Sequence, residues 1–276
     1  MKTLRLACSL GAVLVASASF AVAAAEPAVP VTDAQYSAVL NGDWRLPQNS
    51  ARDRYRHPRQ TLGFFGLGER QTVVEITPGD GWYSELLAPL LREHGRYVAA
   101  IVQPSASDYA QKSADKLKRK FAADPARYGK AHILEYDPQR PVFGAPGSAD
   151  LVLTFRNVHN WVEADSQAAT FQAFFAVLKP GGTLGVVEHR AKPGTALDKD
   201  SGYLPTAYVV QLAQAAGFTL VGESEINANP RDTKDYPKGV WTLPPTLTEG
   251  AHDRDKYLAI GESDRMTLRF VKPGKP

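Results

Sequence analysis

The residues best suited to chemistry begin with an acidic, glycine-rich segment at positions 75–81, EITPGDG, which follows a short β-branched run. Its two glycines would let the backbone approach a bound ligand without side-chain collisions. Glu75 and Asp80 would repel a pyrophosphate and attract a cation. A dinucleotide-binding fingerprint also needs a third glycine or alanine, and Ser84 stands there instead. The segment therefore favours a cationic cofactor over a dinucleotide.

A second group of polar and aromatic residues follows two later strand-like runs. His159 and Trp161 come just past one run, and Glu188 and His189 end the next. We expect all four to face one cleft, with His159 as a candidate general base. Trp161, Glu188 and His189 are candidate substrate contacts. The alternatives stay open: a satisfied polar wall around His159, and a surface salt bridge at Glu188.

The sequence has no pattern typical of a metal site or of a nucleophilic hydrolase. No two of its six histidines lie within four residues of each other, and Cys8 is its one cysteine. None of its serines stands in a Gly-x-Ser-x-Gly elbow. We therefore expect no metal and no hydrolase chemistry.

The elements that must position these residues alternate between strand and helix signals. Apolar, β-branched runs predict strands at 72–76, 97–102, 131–134, 149–155, 183–187, 219–226 and 266–271. Helical spacing predicts helices at 82–93, 108–121, 167–178 and 204–216. Strands separated by helices of this length predict an α/β fold, a parallel sheet covered on both faces.

Two segments lie outside this alternation. The connection 227–265 is rich in Pro, Gly, Asp and Thr without a helix signal, which predicts a lid or substrate loop. Residues 26–70 are predicted to form an N-terminal tether and helical cap, with Thr32 and Asp33 as candidate caps of a short helix through Leu40. The basic, aromatic stretch 50–65 favours a solvated helix with its aromatic side chains in the core, and its alternative is a site for an anionic ligand.

The N-terminus has the three parts of a secretory signal peptide. Lys2 and Arg5 precede an apolar run that ends in small residues, which predicts cleavage after Ala23 or Ala25 and a signal peptide at 1–25. A membrane anchor needs about 20 strongly apolar residues, and this run is shorter and diluted by Ser, Gly and Ala. We expect a periplasmic protein with no stable membrane span.

Cysteine usage and charge limit the chain further. A lipoprotein signal at Cys8 is excluded, because the apolar run follows that cysteine. Cleavage would therefore leave a mature chain with neither disulfides nor a thiol nucleophile. The net charge of +3 is too small to indicate a nucleic-acid partner.

Several sequence segments together resemble those of one enzyme family. Residues 75–81 resemble motif I of the class I S-adenosylmethionine-dependent methyltransferases, an acidic residue followed by a glycine-rich turn. Residues 150–153 resemble their fourth strand, and 178–184, LKPGGTL, resemble the turn before their fifth. The helix-less last pair of strands resembles their antiparallel sixth and seventh. Residues 78–83 and 156–161 are similar to an exported bacterial group of predicted methyltransferases.

The resemblance spans about Val73 to Val271 and implies a methyltransferase-like domain at 71–276. It implies a Rossmann-like, seven-stranded, mostly parallel sheet with helices on both faces and an antiparallel last strand. It implies S-adenosylmethionine as the cofactor and methyl transfer to an unknown small-molecule or envelope-associated acceptor. The cofactor contacts that it implies are Glu75, Thr77, Gly79, Gly81, Gln103, Asp137 and Asn157.

One position departs from the family's pattern. The family places an acidic residue on the ribose hydroxyls at the end of the second strand, where this chain has Gln103, with Asp108 five residues on. Asp137 matches the family's acidic residue at the adenine. The missing ribose acid, and a compartment with no evident source of the cofactor, motivate an alternative: an exported, non-catalytic binding protein that retains the fold.

Overall fold

Seven strands form one sheet in the part of the chain that the computed structural model describes, residues 29–274. They are β1 Thr72–Ile76, β2 Arg96–Val102, β3 His132–Tyr136, β4 Ala149–Phe155, β5 Leu178–His189, β6 Thr219–Ser224 and β7 Arg265–Val271. Their order is β3-β2-β1-β4-β5-β7-β6. Strands β1 to β5 are parallel, and β7 runs antiparallel to β5 and β6. The predicted Rossmann-like fold is confirmed.

Helices cover both faces of this sheet. They are α1 Asp33–Leu40, α2 Pro47–Ser50, α3 Asp53–Arg56, α4 Pro58–Phe64, α5 Ser84–Leu91, α6 Asp108–Ala123, α7 Pro125–Tyr128, α8 Val158–Glu163, α9 Gln167–Val177, α10 Thr206–Ala215 and α11 Arg254–Ile260, with 3₁₀ turns at Pro104–Ala106 and Gly239–Thr242. Helices α8, α9 and α10 pack on one face, and α1 with α4 to α7 pack on the other. None of the helices within residues 29–274 is long and apolar enough to cross a membrane.

The position of β1 creates the crevice in which a ligand can bind. From β1 the chain crosses to β2 on one side, and it returns to β4 on the other side. At such a switch point the two connections diverge, so the carboxyl ends of the strands open into a cleft. Alternation along β1 sends Val74 and Ile76 into one core and Val73 into the other. Glu75 shares the side of Val73 and is a buried acid among apolar neighbours.

The segment before β1 folds against the sheet. The helix predicted after Thr32 is α1, and Thr32 and Gln35 form a reciprocal capping box at its start. Tyr36 and Val39 of α1 are buried in the same core as Leu62 of α4. The signal peptide predicted at 1–25, with its Lys2, Arg5 and Cys8, lies outside the described residues.

The structure adds a helix to one irregular segment and buries part of another that was expected to be solvated. The connection 227–265 contains α11, which has seven residues and is too short to give a clear helical period. The stretch 50–65 does send Phe65 into the core, but Arg56 is only 4% exposed rather than solvated. A basic side chain at that depth needs partners, and these lie at the cavity described below.

Candidate functional site

A cavity of about 650 Å³ opens at the carboxyl ends of β1 and β4. The β1–α5 turn and the β4–α8 junction form its floor. Residues of α2 and α3 form one wall, and the long connection between β6 and β7 supplies another, including Trp241 and Glu262. The loop predicted as a substrate loop thus contributes to the lining of this cavity.

The β1–α5 turn has a backbone that only special residues adopt easily. Thr77, Gly79 and Gly81 all have positive φ, at 48°, 59° and 77°. The Thr77 hydroxyl lies 2.8 Å from the Tyr136 hydroxyl at the end of β3. A Cβ atom on Gly79 would meet nothing within 4 Å, whereas one on Gly81 would lie 3.0 Å from Leu117 Cδ1. Gly79 therefore leaves space in the cavity, and Gly81 lets α6 pack against the turn.

Glu75 lies at this turn with an unusual protonation behaviour. The Tyr97 hydroxyl donates a 2.6 Å hydrogen bond to its Oε2, and the Ser84 hydroxyl lies 3.5 Å from the same oxygen. Burial raises the pKa of Glu75 to about 7, although both hydroxyls lower it. No described residue donates a hydrogen bond to Oε1. A cation in the cavity would favour the ionised carboxylate.

The predicted contacts to the nucleoside lie at the edge of the site. Gln103 follows β2, and its backbone N–H donates to the Tyr136 carbonyl. Asp137 follows β3, where its Oδ1 accepts from the Gln139 N–H at 2.9 Å and its Oδ2 lies 3.5 Å from Arg140 Nε. Neither side chain lines the cavity. A smaller pocket of about 170 Å³ lies beside them, between the β1–α5 turn and α6.

Asn157 holds the floor of the cavity together. Its side-chain Nδ2 donates to the Ile76 carbonyl at 2.9 Å, which ties the end of β4 to the end of β1. The same nitrogen lies 3.3 Å from the Thr154 hydroxyl. Asn157 also lines the cavity, so its position suits both a structural contact and a ligand contact.

Glu188 and His159 form a buried carboxylate–histidine pair. The Glu188 carboxylate accepts from the backbone N–H groups of Val158, His159 and His189 at 2.6, 3.3 and 2.7 Å. Its Oε1 also lies 3.0 Å from His159 Nδ1. Because a carboxylate only accepts, Nδ1 is the donor in this contact, and in the neutral imidazole Nε2 is then the acceptor. Since His159 lines the cavity, the pair has the arrangement of an oriented general base.

His189 completes this side of the cavity as a neutral residue. Its Nδ1 lies 2.6 Å from the Ser263 hydroxyl. Burial, together with the nearby His159 and Arg156, holds the pKa of His189 well below its usual range. Trp241 packs edge-on against the His159 ring, with 5.9 Å between their centroids. The two histidines therefore lie in a largely water-excluded wall.

These residues also form a group with the donor types of a metal site. Ligand atoms of His159, Glu188 and His189 lie within 4.8 Å of one another, which spacing along the sequence could not reveal because they come from α8 and β5. The arrangement does not fit a metal, because the Glu188 carboxylate already accepts from three backbone N–H groups. With His159 Nδ1 as a fourth contact, all of the roughly four acceptor sites of the carboxylate are in use, so a metal would have to displace one of these partners. Arg156 adds further positive charge beside the group.

Sequence analysis missed the arginines of the cavity as a site. Arg52, Arg56 and Arg156 all line it. Glu262 accepts from Arg52 Nε at 2.5 Å and from Arg56 Nε at 3.4 Å, and its Oε2 lies 3.2 Å from Arg265 Nη1. Burial raises the pKa of Glu262, but these arginines outweigh burial and lower it to about 2. The basic stretch 50–65 was the signal for two of them.

The predicted site residues thus divide into two sets. The cavity brings together Glu75, Thr77, Gly79, Asn157, His159, Trp161 and His189. Gly81, Gln103, Asp137 and Glu188 do not line it, although Glu188 orients His159 from behind.

Comparison with known proteins shows the fold. No protein-family model and no curated protein sequence matches the chain. The solved [4+2]-cyclase SpnF has a TM-score of 0.58 and 15% identity, covering 90% of this chain and 98% of its own. A SAM-dependent methyltransferase from Aquifex aeolicus has a TM-score of 0.52 and 16% identity, covering 80% and 93%. A SAM-dependent methyltransferase from Methanosarcina mazei has a TM-score of 0.52 and 13% identity, covering 78% of this chain and 97% of its own. At such identities the likeness shows a methyltransferase-like fold.

Proposed function

We propose that this protein transfers a methyl group from S-adenosylmethionine to a small acceptor, with His159 as the general base. The observation that carries the proposal is the Glu188–His159 pair, whose imidazole shares one cavity with the glycine-rich turn after β1. The methyltransferases among the similar structures support the choice of cofactor. A small-molecule or envelope-associated acceptor is part of the proposal.

The β1–α5 turn fits a cofactor that carries a sulfonium and an α-ammonium group. Glu75 has a buried carboxylate with one unused oxygen, which suits a cation. Gly79 has open space where a side chain would stand. S-adenosylmethionine would supply an electrophilic methyl group in this cavity. Glu75, Thr77, Gly79 and Asn157 are the residues that would hold it.

His159 and its neighbours account for the proton. If the acceptor's oxygen or nitrogen took the methyl group, the sulfonium carbon–sulfur bond would break and S-adenosylhomocysteine would leave, and the acceptor's proton would pass to Nε2 of His159. Glu188 stabilises the imidazolium that results, because its carboxylate stays fixed by three backbone N–H groups. Trp161 and Trp241 line the same cavity and exclude water, so most of the rate acceleration comes from alignment.

A second candidate is a non-catalytic binding protein that keeps this fold. It is favoured by Gln103 and Asp137, whose side chains do not line the cavity at the nucleoside end. The similar structure of a cyclase also illustrates that the fold alone does not fix the reaction.

Calorimetric titration separates the candidates. We expect S-adenosylmethionine and S-adenosylhomocysteine to bind the purified protein with micromolar affinity, and a nicotinamide dinucleotide to give no heat. Binding followed by transfer of labelled methyl to a small-metabolite extract supports the enzyme. Binding without transfer supports the second candidate, and no binding at millimolar cofactor refutes the proposed function.

Export to the periplasm is a further part of the proposal, and it rests on the N-terminal sequence pattern. N-terminal sequencing of protein from a periplasmic extract should give a first residue between Ala24 and Ala28. Protein that begins at Met1 and fractionates with the cytoplasm would contradict export.

A further inference from the structure

Three guanidinium groups reach the cavity with too little negative charge to balance them. Arg52 and Arg56 come from the start and end of α3, and Arg156 follows β4. Glu262 is the carboxylate that pairs with Arg52 and Arg56, and it also pairs with Arg265. Arg156 makes no ion pair or side-chain hydrogen bond with any residue in 29–274. Glu262 thus pairs directly with three arginines, whereas Glu262 and Glu188 act on Arg156 electrostatically without a direct pair.

Donors of this cluster are left without acceptors. Nη2 of Arg52 and Nη2 of Arg56 are buried, and neither has a hydrogen-bond partner among the described residues. The Arg56 side chain is 4% exposed and lines the cavity. A buried donor without an acceptor costs free energy, and charged donors cost the most. These two donors have almost no accessible surface, so a ligand in the cavity that Arg52 and Arg56 line would satisfy them only after a small turn of the side chains toward its oxygens.

Arg52 and Arg56 are held in place by Glu262 before any ligand arrives. The Arg56 guanidinium lies 4.6 Å from the centre of the Trp82 ring, and Trp82 itself donates to the Asn49 carbonyl at 2.8 Å. Arg156 has a backbone φ of +61°, a conformation costly for a residue other than glycine, and it turns the chain directly after β4. Fixed guanidinium forks match the paired oxygens of a carboxylate or a phosphate.

The cluster adjoins the residues of the proposed chemistry. The charges of Arg156 and Arg56 act on His189, whose ring centroid lies 5.3 Å from that of His159. Arg56 also acts on Glu75 across the cavity. An anion held here would lie between the turn that suits the cofactor and the histidine that suits the acceptor.

We propose that Arg52, Arg56 and Arg156 form an oxyanion subsite that binds a carboxylate or phosphate group of a ligand. Two sources have this chemistry: an acidic acceptor, and the amino-acid carboxylate of S-adenosylmethionine. The second source rests on the proposed function, and the subsite itself does not. Arg52 and Arg56 belong to the basic stretch 50–65, so this proposal favours the alternative that the stretch is part of a site for an anionic ligand.

The first experiment tests the subsite without any cofactor. Inorganic phosphate and acetate, at constant ionic strength, should raise the melting temperature of the wild-type protein. Arg156→Gln should weaken this binding about tenfold or more. It should fold normally, because Arg156 pairs with no described residue. Arg156→Lys, which keeps the charge but loses the fork, should bind at an intermediate level.

The control is Arg54→Gln, which removes an exposed positive charge from α3, the helix of Arg56, without altering the lining of the cavity. It should bind both anions as the wild type does. Equal loss in Arg54→Gln and Arg156→Gln would mean a general charge effect and would overturn the subsite. Unchanged anion binding in Arg156→Gln would overturn it as well.

The second experiment identifies the source. S-adenosylhomocysteine is compared with its decarboxylated analogue, 5′-deoxy-5′-(3-aminopropylthio)adenosine. If Arg156→Gln weakens binding of the first and not of the second, the subsite holds the cofactor's carboxylate. If neither changes, and phosphate still binds in the presence of saturating S-adenosylhomocysteine, the subsite holds an acidic acceptor. If neither nucleoside binds, the proposed function fails while the phosphate result still stands.

Discussion

At the scale of single residues, the site is defined by polar groups where the sequence pattern calls for apolar ones. Glu75 interrupts the apolar alternation of β1, and Glu188 ends β5 with no exposed surface. A buried carboxylate survives only with hydrogen bonds, and the two are satisfied differently. Glu188 accepts from three backbone N–H groups, whereas Glu75 accepts from neutral hydroxyls. The pKa of Glu75 is accordingly raised by burial to about 7.

The catalytic pair gives the first prediction. His159→Asn should lower methyl transfer by about 10²- to 10⁴-fold, because the acceptor proton loses its base. Glu188→Gln should lower kcat and leave KM for S-adenosylmethionine unchanged, because Glu188 orients the base from outside the cavity lining. Glu163→Gln, an exposed change on the same helix α8, is the control. Steady-state kinetics with labelled cofactor provides the measurement, and full activity of His159→Asn would remove His159 from the mechanism.

Glu75 gives a pH-dependent prediction. Burial raises its pKa from 4.5 to about 7, so the folded state favours the protonated acid. Its contribution to stability is fully present below pH 4.5 and is lost as pH rises to 7. Glu75→Gln should therefore gain about 3 kcal/mol in unfolding free energy relative to wild type over that interval. Urea unfolding across the range measures this gain, and two parallel stability curves would contradict it.

At the scale of elements, the strands were predictable and the cavity walls were not. β1 and β4 have the predicted bounds, because their β-branched runs are flanked by strong turn signals. α11 was missed because seven residues give less than two turns of periodicity. The burial of Arg56 depends on Glu262, 206 residues away, and no local pattern encodes such a contact. The Glu188–His159 pair likewise forms through strand order, 29 residues apart.

The β1–α5 turn gives a prediction in which two glycines behave differently. Both have positive φ, so a side chain at either position is strained. The Gly79→Val side chain would enter the open space of the cavity, where it would collide with the cofactor but with no protein atom. We therefore expect it to abolish cofactor binding with only a modest loss of stability. Gly81→Val should destabilise the fold itself, because its Cβ would press on Leu117. Calorimetry measures the cofactor affinity of both variants, and thermal unfolding measures their stability. If Gly79→Val bound the cofactor as tightly as the wild type, the proposed cofactor site at this turn would be wrong.

At the scale of the whole molecule, distant parts of the chain meet around one carboxylate. Glu262 follows α11 in the long connection, yet it pairs with Arg52 and Arg56 of the N-terminal helices and with Arg265 at the start of β7. Arg265 also donates to the Tyr55 carbonyl. The N-terminal cap, the connection between β6 and β7, and the start of β7 are therefore joined at the wall of the cavity. Closure of the cavity and stability of the fold share these contacts.

Glu262 gives the last prediction. Its pKa lies near 2 instead of 4.5, because the arginines favour its ionised form more than burial opposes it. A lowered pKa contributes stability that is present above pH 4.5 and is lost as pH falls toward 2. Glu262→Gln should cost about 3 kcal/mol at neutral pH, since it leaves buried guanidinium groups without their anion.

That cost should shrink as both proteins are acidified, because protonation of the wild-type carboxyl removes the same charge that the substitution removes. Glu225→Gln is the matched control. Its carboxylate also pairs with an arginine, Arg190, but the Glu225 side chain is 71% exposed. We expect it to cost at most about 1 kcal/mol. Chemical unfolding between pH 7 and pH 3 measures the free energy of unfolding of the wild type and of both variants. A cost for Glu262→Gln as small as that of Glu225→Gln would mean that the cap and the long connection are held to the sheet by apolar packing instead.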